Sequence, residues 1–244
     1  MSRIVKRVLL VRRCRIGEDR RVRALRPLRT HVNTGRSLSL SVYRFGPSYW
    51  DKMETNDMRV QLSEKSKEYA EALRHFEKTV KGKKILKIER CQNVYLWQQY
   101  TARKMMMTKR NQGQINERVL FHGSRTVDPD KICRGKTGAG FDPRLGSGYY
   151  GTGAYFAEKA SYSVNGYSHS TKGGTSKQIF LARVLCGREK DYKTQKDMSL
   201  KRPPTMPGGD LYDSVCGGPH AGSIMYITYD KSQAYPMYLY TWTG

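Results

Sequence analysis

Three consecutive residues, His122, Gly123 and Ser124, offer the first candidate chemistry in this sequence. The apolar run VLF before them predicts a strand, so the imidazole would stand where that strand ends, at the edge of a sheet. The glycine lets a ligand approach the backbone and bind its amide. A single histidine is also common as a hydrogen-bonded structural residue, so the tripeptide alone leaves both interpretations open.

A glycine-rich segment over residues 140–167 supplies a second group of candidates. Its sequence, GFDPRLGSGYYGTGAYFAEKASYSVNGY, predicts a loop, then a strand containing Tyr155, then a turn or short helix at 158–163. Tyr162 and Tyr167 could form a stacking platform, and Ser163 could offer a hydroxyl to a carboxamide. Neither the dinucleotide fingerprint nor the P-loop motif is present. By itself, the segment could equally be a solvent-exposed connection.

The elements that must position these residues follow from hydrophobic periodicity. Ser63 is the predicted N-cap of an amphipathic helix that Gly82 ends, and Asn93 is the predicted N-cap of a second helix. We interpret the run Met105–Met107 in the second helix as core packing rather than a cofactor site. Lys84–Arg90 alternates as a half-buried strand does. Further strands are predicted at RVLFHG, GAYFA, QIFLARVLCG, IMYITYD and YPMYLYTW. Because regular strand–helix alternation is missing, we predict an α+β fold with largely antiparallel sheets.

Composition limits the class of protein. The chain has 244 residues, 38% of them hydrophobic, and seventeen tyrosines, which excludes a chain that is disordered throughout. The sequence contains no stretch of eighteen consecutive apolar residues, so no membrane-spanning helix is predicted. The five cysteines are scattered without a C-x-x-C pair, which argues against a disulfide scaffold and structural zinc and favours the nucleus or cytoplasm. We predict no metal site at the four remaining histidines, which are His31, His75, His169 and His220.

The positive charge is unevenly distributed. The formal net charge is +24, and residues 1–46 hold thirteen Lys or Arg and two acidic residues, a net charge of +11. This segment has too few apolar residues to close a core, so we predict a basic, mostly disordered arm. Three interpretations of the arm stay open: a nucleic-acid-binding tail, an organellar presequence, or a solvated segment without a specific function.

From residue 47 to residue 244, a series of motifs resembles the catalytic domain of the poly(ADP-ribose) polymerase family. These motifs are LFHGS, GFDPR, GTGAYFAEKASYS, LARVLCG, DLYDSV and YITYDKSQAYPMYL, in this order. IERCQNVYLWQQY and NERVLFHG resemble the branch of mono-ADP-ribosyltransferases. The resemblance implies a split antiparallel β-sheet core with flanking helices, like that of the diphtheria-toxin type, and NAD as a substrate without a metal. Residues 47–244 are therefore the predicted catalytic domain.

The resemblance also implies roles for individual residues. His122 would hydrogen-bond a ribose hydroxyl on the adenosine side of NAD, and Ser124 would lie along the same ribose. Gly123, through its backbone, and Ser163, through its hydroxyl, would hold the nicotinamide carboxamide. Tyr167 would stack on the nicotinamide ring. Tyr155, the second member of the family's His-Tyr-Glu triad, would line the nicotinamide pocket.

The third triad position departs from the polymerising members, because it falls on Met225 in SIMYITYD. A thioether can neither bind the ribose hydroxyl strongly nor activate the end of a growing chain. We therefore expect a catalytic set of His122, Tyr155 and Met225 that transfers a single ADP-ribose. The expected acceptors are protein side chains, with the enzyme itself among them, although nucleic-acid phosphates stay open.

Other functions compete with transfer. An inactive NAD-binding or interaction module of the same fold is the main alternative, since some relatives with altered triads have lost activity. Nucleic-acid binding through the basic arm is compatible with either. Asp210, Asp213 and Asp230 could suggest a pair of carboxylates for hydrolysis, but we assign them to turns because DLYDSV matches a structural motif of the family and Asp230 ends a strand.

Overall fold

Most of the described chain is organised around one sheet. The computed structural model describes residues 46–134 and 140–244. The strands are β1 (Asp57–Gln61), β2 (Lys84–Asn93), β3 (Glu117–His122), β4 (Ser147–Gly148), β5 (Gly151–Thr152), β6 (Ala154–Ala157), β7 (His169–Ser170), β8 (Lys177–Leu185), β9 (Glu189–Asp191), β10 (Ser214–His220), β11 (Ser223–Thr228) and β12 (Ala234–Thr243). The helices are α1 (Lys67–Glu77), α2 (Val94–Arg110), α3 (Pro129–Cys133) and α4 (Ala160–Gly166). The predicted basic arm lies outside these residues except for Gly46, so the domain boundary stays a prediction.

The sheet is antiparallel almost throughout. Its strands follow the order β1-β2-β12-β8-β3-β6-β11-β10-β9, with β7 paired to β8, while β4 and β5 form a separate hairpin. Among the described strands, only β9 and β10 pair in parallel. The predicted α+β fold and its antiparallel sheet are therefore confirmed. Strand β10 escaped prediction because its sequence, SVCGGPH, carries two glycines and a proline that indicate a turn.

Strand β8 runs through the core, and its two faces are covered by different elements. Ile179 and Leu181 pack in the cluster that contains Ala72 and Phe76 of α1. Phe180, Ala182 and Val184 point to the opposite face and pack in the cluster that contains Ile132 and Cys133 of α3. A strand buried on both faces needs a nearly continuous apolar sequence, which QIFLARVL provides. The four cysteines of the described parts are buried free thiols.

The helices begin where side chains can accept the first free amides. The Ser66 hydroxyl accepts from the Tyr69 amide at 3.0 Å, so the predicted cap at Ser63 is wrong. Ser63 begins the preceding turn instead, because its carbonyl accepts from the Ser66 amide at 2.9 Å. The predicted cap at Asn93 is confirmed: its side chain accepts from the Leu96 amide at 3.0 Å. No helix in the described ranges is long and apolar enough to cross a membrane.

Helix α2 also corrects the interpretation of its methionines. Met107 is 1% exposed and packs in the core, as expected, but Met105 and Met106 are 73% and 64% exposed. Successive helical residues point about 100° apart, so three consecutive methionines cannot share one buried face. The core-packing interpretation holds for Met107 only.

The carboxylate of Asp213 is fully buried and joins three elements. It accepts hydrogen bonds from the Asn111 side chain at 2.7 Å and from the Arg188 amide at 2.8 Å, and it forms an ion pair with Arg110. These partners lie at the end of α2 and between β8 and β9. Asp213 lies in a bend before β10 and in addition joins distant elements, whereas Asp230 caps a turn by accepting from the Ser232 amide at 2.9 Å.

Asp213→Ala should lower the free energy of unfolding by about 2–4 kcal/mol, because it leaves buried hydrogen-bond donors without an acceptor. Asp210→Ala is the matched control: that carboxylate is 72% exposed and its ion pair with Arg188 spans 3.3 Å. We expect the control to change stability by no more than about 0.5 kcal/mol. Urea unfolding of both variants measures the difference, and equal midpoints would contradict this account of Asp213.

Candidate active site

One cavity of about 590 Å³ opens between β3, β6, α4, β11 and the glycine-rich segment. All seven site residues predicted from the sequence line it: His122, Gly123, Ser124, Tyr155, Ser163, Tyr167 and Met225. The sheet explains the meeting of residues so distant in sequence, since β6 pairs with β3 on one side and with β11 on the other.

His122 is held as a neutral, oriented imidazole. Its Nδ1 lies 2.7 Å from the Tyr155 carbonyl oxygen. A carbonyl only accepts, so Nδ1 carries the proton and Nε2 is left as an acceptor. The ring packs against Phe141 and Phe156, with centroids 4.8 and 5.5 Å away. Burial lowers the pKa of His122 to about 4, although the bond to the carbonyl acts in the opposite direction.

The absence of a side chain at Gly123 allows Tyr167 to pack closely against its backbone. A Cβ at this position would lie 2.4 Å from the Tyr167 carbonyl oxygen and 2.5 Å from the Tyr167 Cβ. The Tyr167 amide donates to the Ser163 carbonyl at 3.1 Å, which ends α4 and fixes the residue. The Tyr162 and Tyr167 rings are stacked, 5.2 Å apart with an interplanar angle of 16°. Tyr167 keeps 45% of its surface exposed, so a planar ligand could reach this pair.

Tyr155 joins β6 to the hairpin of β4 and β5. Its hydroxyl donates to the Gly151 carbonyl at 2.7 Å and accepts from the Tyr150 amide at 3.0 Å. Burial raises the pKa of Tyr155 to about 12, so the hydroxyl stays protonated. A Cβ at Gly148 would come within 3.2 Å of the Tyr155 ring. At this point the glycine-rich segment is a packed wall of the cavity rather than an exposed connection.

Two serine hydroxyls belong to the walls. Ser124 is 5% exposed and Ser163 is 2% exposed. The Ser124 hydroxyl has no hydrogen-bond partner among the described residues. A buried hydroxyl without a partner is costly, and a ligand in the cavity can satisfy it.

The cavity offers no free carboxylate within its described lining. Met225 is 6% exposed and packs with Tyr150, Ala157 and other apolar residues. Asp142 is the acid in this lining, and its oxygens accept from the Arg144 guanidinium at 2.6 to 3.2 Å. That contact holds the pKa of Asp142 below its usual range. A carboxylate base is therefore missing from the described lining.

Some lining residues were missed by the sequence analysis. Phe141 packs on His122, and Tyr149 and Tyr150 form part of the wall. Tyr150 is fully buried, and its hydroxyl lies 2.8 Å from Nε2 of His220. In the sequence, the pair Tyr149 and Tyr150 between glycines was the one signal for this wall. The contact with His220 forms when the chain folds and has no local signal in the sequence.

The residues that line the cavity lie within a region that matches a known protein family. The sequence profile described as "Poly(ADP-ribose) polymerase catalytic domain" matches residues 66–243, which include all seven site residues. The chain belongs to this family. Members of the poly(ADP-ribose) polymerase family use NAD as a substrate. The predicted resemblance is thus confirmed.

Three curated relatives within the family are named as mono-ADP-ribosyltransferases. "Protein mono-ADP-ribosyltransferase PARP12" of Mus musculus is 37% identical over 203 residues, which are 79% of this chain and 27% of the relative. PARP14 of Homo sapiens is 35% identical over 214 residues, 83% of this chain and 12% of the relative. PARP11 of Homo sapiens is 32% identical over 218 residues, 79% of this chain and 62% of the relative. The chain therefore spans about a quarter of the mouse PARP12 relative.

Gly123→Ala should weaken NAD binding, because the new methyl group displaces Tyr167. Overpacking of this kind costs about 1–3 kcal/mol, which corresponds to a loss of roughly tenfold or more in affinity. Gly166→Ala is the matched control at the end of α4, since a Cβ there meets nothing within 4 Å. Calorimetric titration with NAD compares the two. Equal affinities would show that the close approach of Gly123 to Tyr167 does not shape the site.

The protonation of His122 should be visible by NMR. In the folded chain its ring should titrate with a midpoint near pH 4, whereas in the unfolded chain it should follow the usual value near 6.5. Since the unfolded chain takes up this proton first, His122 should make the fold less stable as the pH falls from about 6.5 to 4. His122→Gln assigns the resonance. A midpoint near 6.5 in the folded protein would contradict the burial described here.

Proposed function

We propose that this chain is an NAD-dependent mono-ADP-ribosyltransferase domain, which transfers one ADP-ribose from NAD to an acceptor and releases nicotinamide. The observation that carries the proposal is the meeting of His122, Gly123, Tyr155, Ser163 and Tyr167 in one cavity. Membership of the family and the activity named for the relatives support it.

In this proposal, the walls hold NAD at both ends. The Gly123 backbone and the Ser163 hydroxyl bind the nicotinamide carboxamide, while the ring stacks on Tyr167. His122 accepts a hydrogen bond from a ribose hydroxyl on the adenosine side, which its free Nε2 permits. The unsatisfied Ser124 hydroxyl lies along the same ribose. Tyr155 lines the nicotinamide pocket with its ring, while its hydroxyl is bonded to the backbone.

The reaction needs orientation more than proton transfer. The bond between ribose C1′ and the nicotinamide nitrogen breaks, and its electron pair neutralises the positive charge of that nitrogen. Positive charge spreads over the ribose until the acceptor bonds to C1′. An acceptor carboxylate is already ionised at neutral pH, so its attack moves no proton and requires no base. Holding the reactants in the correct pose then supplies much of the rate enhancement.

Met225 accounts for transfer of one unit. Chain growth uses a hydroxyl of the first ADP-ribose as the next acceptor, and that hydroxyl must be bound and deprotonated. A thioether does neither, and Asp142 is occupied by Arg144. We therefore expect single units on protein side chains, including those of the enzyme itself.

The nucleus or the cytoplasm, where NAD and reduced thiols coexist, is the proposed location.

Mass spectrometry of the protein incubated with NAD tests the proposal. The wild type should gain single ADP-ribose units while free nicotinamide accumulates, and His122→Ala should lose most of both. His75→Ala is the control, because His75 lies on α1 away from the cavity. Bound NAD without modification or nicotinamide release would favour the inactive NAD-binding module instead.

Variants of Met225 test the restriction to single units. Met225→Leu conserves volume and should keep single transfer. Met225→Glu places a carboxyl beside Tyr150, Ala157, Val215 and Ile227, where burial should raise its pKa and lower the stability of the fold. We expect no chains from either variant. Chains formed by the wild type or by Met225→Leu would refute the role given to Met225.

A further inference from the structure

A basic segment is fixed beside the cavity by backbone hydrogen bonds. The Asp197 amide donates to the Tyr149 carbonyl at 2.8 Å, and the Leu200 carbonyl accepts from the Thr152 amide at 2.8 Å. Tyr149 itself lines the cavity. We call residues 193–202, together with Tyr149 and His220, the basic rim. Its position is set by the same hairpin that holds Tyr155.

A cation and an aromatic ring meet where the rim adjoins the cavity. The Lys196 ammonium lies 3.7 Å from the centroid of the Tyr149 ring, and the His220 ring lies 4.9 Å from it. His220 is in turn bonded to the Tyr150 hydroxyl of the cavity wall. Tyr149 is 42% exposed, so the Lys196 charge stands at the surface next to the opening.

The basic rim carries a net positive charge, because residues 193–202 hold four cations and one carboxylate, a net charge of +3. Lys193, Lys196, Lys201 and Arg202 are all exposed, and none forms an ion pair with a described carboxylate. The acids of the segment are engaged by its own turns. Asp191 accepts from the Lys193 amide at 2.7 Å, and Asp197 accepts from the Ser199 amide at 3.1 Å and its hydroxyl at 2.6 Å.

Resting on the proposed function, we infer that the basic rim docks the acceptor protein and selects acceptor side chains that are flanked by acidic residues. Charge complementarity supports this occupant, because uncompensated cations next to a reaction centre raise the local concentration of anionic segments. A cavity whose described lining has no free carboxylate also favours an acceptor that is already ionised, such as a carboxylate. Its oxygen bonds to C1′ as nicotinamide leaves with the electron pair, and no proton moves.

An acidic protein segment fits the rim better than single-stranded nucleic acid does. Nucleic-acid surfaces of that kind combine cations with aromatic rings on which successive bases stack. In the described rim, Tyr149 is the exposed ring, and Lys196 and His220 already pack against it. The surface therefore presents charge rather than a series of free rings.

Competing peptides test this inference. Two peptides carry one central Glu. In the first, the residues three and four positions away on each side are Asp, and in the second they are Ser. A third peptide has the Asp flanks around a central Gln and measures transfer to the flanking residues. Lys193→Glu/Lys196→Glu is compared with Lys81→Glu/Lys84→Glu, an equal charge change at exposed lysines that do not line the cavity. The ratio of kcat/KM for the Asp-flanked and Ser-flanked peptides is the readout, because it does not depend on basal activity.

The wild type should prefer the Asp-flanked peptide by roughly tenfold, through KM rather than kcat, and salt should reduce that preference. The rim variant should lose the preference, while the control variant keeps the wild-type ratio. Equal use of the two peptides by the wild type, an unchanged ratio in the rim variant, or preferred transfer to a 5′-phosphorylated single-stranded oligonucleotide would overturn the inference. If incubation with NAD and any of the peptides releases no nicotinamide, the proposed function is wrong as well.

Discussion

The site depends on one hydrogen bond, from Nδ1 of His122 to the carbonyl of Tyr155. Strands β3 and β6 are neighbours in the sheet, yet a single pair of residues, Phe121 and Ala157, is in register between them. The strands separate beyond that point, and the cavity occupies the gap. A side chain thus joins the two strands where the backbone ladder ends. Because a carbonyl only accepts, this join also determines which nitrogen of the imidazole faces the cavity.

The walls of the cavity follow from close contacts between the backbone and aromatic rings. Glycine stands where the chain comes closest to an aromatic residue, as Gly123 does at Tyr167 and Gly148 at Tyr155. Apolar residues cover the floor along β11, where Met225 lies among Tyr150 and Ala157. The resulting space is rich in aromatic side chains and poor in charge. It suits a ligand with a flat ring and several hydroxyls, while acid–base chemistry by the enzyme is disfavoured.

Local signals predicted part of this architecture. Asn93 caps α2 as expected, because the cap requires only the three residues that follow. Ser63 was the wrong cap, because the register in which α1 buries Tyr69, Ala72 and Phe76 starts the helix after Ser66. The site residues were predicted from the resemblance to a family, since spacing alone left His122 ambiguous. The bond from Tyr150 to His220 joins residues seventy positions apart and had no local signal.

The Tyr155 hydroxyl has a consequence for communication across the molecule. It is bonded to Tyr150 and Gly151, Tyr150 contacts His220, and Thr152 is bonded to Leu200 of the basic segment. One side of this chain of contacts faces the gap between β3 and β6, and the other faces the exposed lysines. Binding free energies are reciprocally linked, so any effect of a ligand in the cavity on binding at the lysines is matched by an equal effect of binding at the lysines on that ligand. A single phenol thus lies at the centre of the hydrogen bonds that connect the cavity wall to the exposed lysines.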